Sequence, residues 1–219
     1  MAELRLVPDP PQTDGGTATM APPRLPPGRH GLPDDVVRAH QRHRLLEAAA
    51  KALDEQGYGR LTTVRVTELA AVSSRTFYQH FEDLWACLLA AYEVEAARLC
   101  GTIESACAAA GADRRARART GIAAALSFLA AEPAVARLLS SEPPPQVTSL
   151  AAARRELLER LSGMLRNILE PGTATPLPGL ERRLVGASLA LVATRAANGE
   201  ARRLRELEPE LSEILLASL

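Results

Sequence analysis

Apolar residues recur at a helical period along nearly the whole chain. In DDVVRAHQRHRLLEAAAKALDEQG, residues 34–57, Leu45, Leu46, Ala49, Ala52 and Leu53 share one face, and Gly57 stands where a helix stops. After the link GYGRL, Thr62 and Thr63 occupy cap positions ahead of TVRVTELAAV. That segment predicts a short second helix with Val66, Leu69 and Ala70 facing inward. Ser73 or Ser74 then caps a third helix, Ser74 to His80, of barely two turns. A long amphipathic helix begins near Asp83. Further helical segments follow as DRRARARTGIAAALSFLAA, AVARLLSS, TSLAAARRELLERLSGMLRNILE, LERRLVGASLALVATRAANG and EARRLRELEPELSEILLASL, separated by Glu132-Pro133, EPPPQ and the loop PGTATPLPG. About nine helices are expected, and no strand pattern is found.

The composition agrees: 47% hydrophobic, rich in Ala, Leu and Arg, with few β-branched runs. Residues 1–36 form a Pro/Gly-rich segment, expected to be a disordered tail. Within it, Arg24, Arg29 and His30 form a short basic arm just before the first helix. The first residues are acidic and Pro-rich with no apolar run, unlike a secretory signal. No stretch reaches the length of a membrane span. Cys87, Cys100 and Cys107 lack metal-ligand spacing and read as small buried residues of a cytoplasmic protein.

Net charge is zero, but its distribution is uneven. Residues 24–81 carry nine Lys and Arg against six Asp and Glu, together with all four histidines. The same region concentrates aromatic side chains. Of seven in the chain, Phe77, Tyr78 and Phe81 fall within five positions. Two short helices joined by a tight turn form a helix-turn-helix, whose second helix enters the major groove of DNA. The chemistry fits that role. Ser74, Arg75 and Thr76 stand at the first turn, where Arg can bind guanine bidentately and Thr can meet a thymine methyl or a phosphate. Tyr78 and His80 can hydrogen-bond backbone oxygens. Phe77 and Phe81, four apart, share the inner face.

The stretch from Arg44 to Glu93 resembles the TetR family of bacterial transcriptional repressors. The matching residues are Ala48-Ala49, Gly57-Tyr58, Thr62, Val72-Ser73, Thr76-Phe77-Tyr78 and His80-Phe81. A weaker likeness extends over roughly residues 30–219. The resemblance implies an all-α fold with a three-helix DNA-binding domain at residues 37–82 and a ligand-binding and dimerisation domain at residues 83–219. It implies a homodimer on a pseudo-palindromic operator of double-stranded DNA, released by a small molecule. Base reading is assigned to Ser74 and Arg75, then Thr76 and Gln79. Phosphate contact is assigned to Thr62, Ser73, Tyr78 and His80, and Thr63 completes the set of DNA-binding candidates.

Three departures from the family pattern stand out. Ala71 occupies a turn position usually held by Gly, where positive φ costs a non-Gly residue about 1 kcal/mol. Leu84-Trp85 replaces a Lys-Glu pair, removing one phosphate contact per subunit. Thr63 and Thr67 replace residues that are usually apolar. A second reading follows, in which the chain has lost operator binding and serves as a ligand-binding or protein-interaction module, with Trp85 as an exposed contact.

Beyond residue 101 the one aromatic is Phe128. A pocket there is expected to be lined by Leu, Val, Ile, Ala and Met164, suited to a small apolar ligand. The polar helical residues Thr120, Ser127, Ser162, Asn167, Ser188, Thr194 and Asn198 do not divide into pocket and surface by pattern. Arg114 to Arg119 reads as a solvated helix start. No histidine follows His80, and no GxSxG, P-loop or HExxH motif occurs. The Glu156 and Glu159 carboxylates, three apart among Arg neighbours, read as surface pairs. The sequence therefore points away from an enzyme, with no catalytic residue, metal site or cofactor assigned.

Overall fold

In the computed structural model, residues 33–169 and 179–216 are described. The expected tail with its basic arm (Arg24, Arg29 and His30) and the loop after Leu169 lie outside them. Nine α-helices form among the described residues, and no strand. They are α1 (Asp34–Gln56), α2 (Thr63–Ala70), α3 (Ser74–His80), α4 (Leu84–Ala109), α5 (Arg114–Ala131), α6 (Pro133–Ser140), α7 (Thr148–Leu169), α8 (Leu180–Ala197) and α9 (Glu208–Leu216). A 3-10 turn at Tyr58–Arg60 links α1 to α2, and a 3-10 stretch at Ala201–Leu207 precedes α9.

The last segment is therefore not one helix. Pro209 supplies no backbone N–H, so an α-helical ladder cannot run through it, although proline suits a first turn. Residues 201–207 wind more tightly instead and bury Ala201, Leu204 and Leu207.

The starts of α2 and α3 follow the expected caps, and Asp83 caps α4. The Arg65 N–H donates to Thr62 Oγ1 at 3.2 Å, the Thr76 N–H to Ser73 Oγ at 3.0 Å, and the Ala86 N–H to Asp83 Oδ1 at 2.7 Å. Each satisfies a donor that a helix start leaves open. Gly57 (φ 67°) ends α1 in a backbone state that favours glycine.

Residues 34–40 form the mostly exposed first turns of α1, with Asp34 and Asp35 at its amino end and Val37 and His40 half-buried. The described residues from Gln41 onward make one compact unit. A large apolar core runs through that unit, beside a small second cluster of Cys107, Ala118 and Ile168. The large core takes in Leu45, Ala49 and Leu53 of α1, Val66 and Phe77 of the short helices, Cys87, Leu88 and Tyr92 of α4, and Leu138 and Leu204 further on. Helix α4 packs on α5, α6 and α7, α7 packs on α8, and α5 packs on α9. All three cysteines are buried on α4. Among the described residues no single helix is long and apolar enough to cross a membrane.

Candidate nucleic-acid interface

The turn between α2 and α3 depends on Ala71. It takes the left-handed conformation (φ 48°, ψ 50°), as expected of a residue at the family's glycine position. Among the described residues it is the one non-glycine with positive φ. Its N–H donates to Glu68 O at 3.0 Å, and the next N–H, of Val72, donates to Thr67 O at 3.1 Å. Arg44 of α1 then donates to the carbonyl oxygens of Ala70 and Ala71 from the other side. The strained turn is thus held by its own backbone and by a cation from the first helix.

Arg65 fixes α2. Its guanidinium meets Glu55 of α1 at 2.8 Å and Glu68 at 3.4 Å. Thr67 is buried and donates to Val64 O at 2.8 Å, which satisfies its hydroxyl at a position where an apolar residue is usual. Thr63 is half-buried and Thr62 exposed.

Helix α3 divides into two faces. Phe77 is fully buried and Phe81 nearly so, with ring centroids 5.8 Å apart. Arg42 of α1 lies over the Phe81 ring at 5.5 Å. On the outer face, Ser74, Arg75, Tyr78 and Gln79 are exposed. Tyr78 is 61% exposed, its ring edge-on to Phe77. Ser74 with Tyr78, and Arg75 with Gln79, are each four apart and so stacked along that face. Thr76 is half-buried, and its hydroxyl pairs with that of Ser73 at 2.9 Å. His80 sits lower, with Nε2 3.4 Å from Gln41 Oε1 of α1.

The structure thus brings Ser73, Ser74, Arg75, Tyr78 and Gln79 onto one exposed surface, with Thr62 at the start of the neighbouring helix. His80 and Thr63 lie toward the packing side. Trp85 does not provide an exposed contact. It is half-buried against the core, its ring 6.5 Å from that of Tyr58. The reason is local: α4 starts at Leu84, so Trp85 sits in its first turn, over the 3-10 link. Sequence reasoning missed Arg44 and Arg65. Each reads as an ordinary surface arginine until the turn and α1 are placed beside it.

In the C-terminal half a cavity of about 150 Å³ opens between α4, α5, α7 and α8. Leu99, Ile103, Ile122, Leu126, Met164 and Val192 are among its walls. Of the polar helical residues only Ser188 lines it, and its hydroxyl donates to Leu184 O of its own helix at 2.9 Å. Thr120, Ser162 and Thr194 are bonded back onto their helices in the same way. Phe128 lies elsewhere, beneath Arg98 at 5.2 Å. Glu159 pairs with Arg182 at 2.8 Å on the surface.

Comparison with known proteins bears on both halves. Over 48 residues the chain is 50% identical to ATP synthase subunit alpha of Helicobacter acinonychis (strain Sheeba) and of Helicobacter pylori (strain G27). That is 22% of this chain, and the chain spans 9% of the length of those proteins. Solved structures align over far more. The fatty acid degradation regulator FadR from Bacillus halodurans is similar at a TM-score of 0.67 and 19% identity, over 82% of this chain and 96% of that one. The transcriptional regulator FadR from Bacillus subtilis, in complex with stearoyl-CoA, is similar at 0.66 and 17% identity, over 81% and 98%. A TetR-like transcriptional regulator from Rhodococcus sp. RHA1 is similar at 0.64 and 22% identity, over 85% and 98%. At these identities the likeness shows the fold. Residues 45–91 match the family model of bacterial regulatory proteins, tetR family. The segment 45–91, with its two capped helices and glycine-like turn, belongs to the tetR family of bacterial regulatory proteins, and the chain that carries it has the fold of that family's solved members.

Proposed function

We propose that the chain is a cytoplasmic, homodimeric transcriptional repressor that reads one half of a pseudo-palindromic operator through α3 and leaves it when an apolar molecule fills the C-terminal cavity. Its action is binding rather than catalysis. The observation that carries this reading is the division of α3. Phe77 and Phe81 anchor the helix inside, which leaves Ser74, Arg75, Tyr78 and Gln79 outward on a helix too short to be needed for any other packing. Thr62 and Ser73, at the two helix starts, flank that surface and suit phosphates. In this reading residues 37–82 read DNA, and residues 83–219 bind the ligand and the second subunit. The aliphatic cavity, together with stearoyl-CoA in a structure of the same fold, supports an apolar effector. The second reading, a module that has lost operator binding, rested on Trp85, which is half-buried here.

The test is fluorescence anisotropy against the DNA flanking the protein's own gene, at several salt concentrations, with scrambled DNA as control. Selective binding that falls steeply with salt is expected. Weak binding, equal on both DNAs, would transfer the chain to the second reading. Sedimentation of the complex reports two protein chains per operator if the dimer is right.

A further inference from the structure

Two helices that wall the cavity also carry residues that act on Tyr58, the residue leading into the helix-turn-helix pair: Trp85 of α4 beside its ring and Arg154 of α7 within electrostatic reach. Tyr58 lies in the 3-10 turn between α1 and α2, four residues before the cap Thr62. Its hydroxyl is buried and has no hydrogen-bond partner among the described residues. The same holds for the hydroxyl of Tyr92 on α4 and for Nε of Arg154 on α7. Burial pushes the Tyr58 phenol up to about 12 and raises that of Tyr92 as well, while the Arg154 guanidinium is close enough to pull both back down. Glu142, just after α6, holds Arg154 by an ion pair at 3.0 Å. Three groups from three elements, each with a buried polar atom that lacks a partner among the described residues, therefore lie within electrostatic reach of one another, where buried polar atoms ordinarily have partners.

We propose that Tyr58, Tyr92 and Arg154 form the joint through which the state of the C-terminal cavity reaches the DNA-reading helices, with Arg154 as the positioning residue. The inference rests on the regulator reading above. Helix α4 carries Tyr92 and, further along, the cavity residues Leu99 and Ile103; α7 carries Arg154 and then Leu161 and Met164. Eleven residues of helix separate Tyr92 from Ile103, about 16 Å. Close-packed helices pass a displacement along their length rather than absorb it. A molecule that spreads α4 from α7 at the cavity resets how Arg154 faces the two phenols. Because its Nε and both hydroxyls are unengaged, a shift that brings them together lets Nε donate to one phenol oxygen. The second arrangement thereby gains a charge-assisted hydrogen bond that the first lacks. Tyr58 follows its partner, and α2 and α3 follow Tyr58. The joint is a two-state element biased from the cavity.

Trp85, the sole tryptophan, lies against Tyr58 and reports on it. The experiment measures acrylamide quenching of Trp85 in full-length protein with Ala125→Phe, which fills the cavity, in the wild-type and Arg154→Met backgrounds. Circular dichroism checks folding. Where Ala125→Phe does not fold, Met164→Ala enlarges the cavity instead; where Arg154→Met does not, Tyr92→Phe breaks the joint. The cavity substitution should change Trp85 quenching in the wild-type background and leave it unchanged when the joint is broken. An equal change in both backgrounds overturns the joint, and so does no change in either. DNA anisotropy on the same proteins reads the parent proposal separately. A cavity effect on affinity of about fivefold or more in the wild-type background should vanish with Arg154→Met. Persistence of that effect in Arg154→Met also overturns the joint. If none of the proteins binds DNA selectively while the quenching result holds, the regulator reading fails and the internal joint stands.

Discussion

Arg44 of α1 donates to the carbonyl oxygens of both Ala70 and Ala71, reaching across 26 and 27 positions of chain to hold the left-handed turn of the helix-turn-helix. Arg44→Met should therefore destabilise the protein by about 1.5–3 kcal/mol, the range for hydrogen bonds to a charged group. Ala71→Gly relieves the strain that Arg44 offsets and should stabilise by up to about 1 kcal/mol. Urea unfolding checks both. An Arg44→Met variant as stable as wild type would show that the turn needs no support from α1.

Arg75→Ala should weaken binding to the cognate site by about 1–3 kcal/mol and relax preference at one base pair. Tyr78→Phe should weaken all sequences alike. Because both side chains are exposed, neither change should move the unfolding midpoint. Binding-site selection from a randomised library measures the first, and a loss confined to particular bases in Tyr78→Phe would reassign Tyr78 to readout.

Phe77 is the anchor of α3 and is fully buried. Phe77→Ala should cost about 3–5 kcal/mol. The loss should appear as fast amide exchange across residues 63–80, with DNA binding lost as a consequence. Intact exchange protection there would mean that Phe81 alone seats the helix.

Gly121 of α5 faces Cys107 of α4 so closely that an added Cβ would stand 2.8 Å from the sulfur. Gly121→Ala should destabilise by about 1–3 kcal/mol, and Cys107→Ala in the same chain should recover most of it. Additive losses in the double variant would show that the two positions do not share the space.

Burial raises the Tyr58 phenol from 10.0 to about 12. A phenol held neutral in the fold but free to ionise in the unfolded chain contributes stability that is complete below pH 10. That contribution is lost as pH climbs through 12. Tyr58→Phe should flatten this alkaline decline in thermal melts, and a decline of unchanged slope would place its origin elsewhere.

The two-faced nature of α3 was legible because Phe77 and Phe81 are four apart in a chain that otherwise spends few aromatics. The caps Thr62 and Ser73 were legible because capping is a local matter of side-chain oxygen and spacing. The positive φ of Ala71 followed from its place in the motif. Arg44 was not legible, since its partners Ala70 and Ala71 lie 26 and 27 positions away; of Arg65's two partners, the nearby Glu68 follows from helical spacing, but Glu55 of α1 does not. Trp85 was misjudged for a related reason. A departure from the family pattern was taken for exposure, whereas the 3-10 link supplies Tyr58 as a neighbour. The cavity's aliphatic character could be foreseen from composition, but not its location. Serine and threonine hydroxyls that bond back onto their own helices look the same in sequence as those that face a ligand.

The lining of that cavity sets how well it can tell molecules apart. Its Ser188 hydroxyl is already engaged by Leu184 O, and the remaining walls are almost all hydrocarbon. A pocket of this kind rejects a homologue lacking one methylene by only about 1–3 kcal/mol, and it rejects an added hydroxyl hardly better. If the cavity is the effector site proposed above, homologues of one another should be sensed as a graded series, in which chain length sets the dose at half response. In the proposed reading, such a pocket would register how much of a lipophilic class is present rather than which member of it.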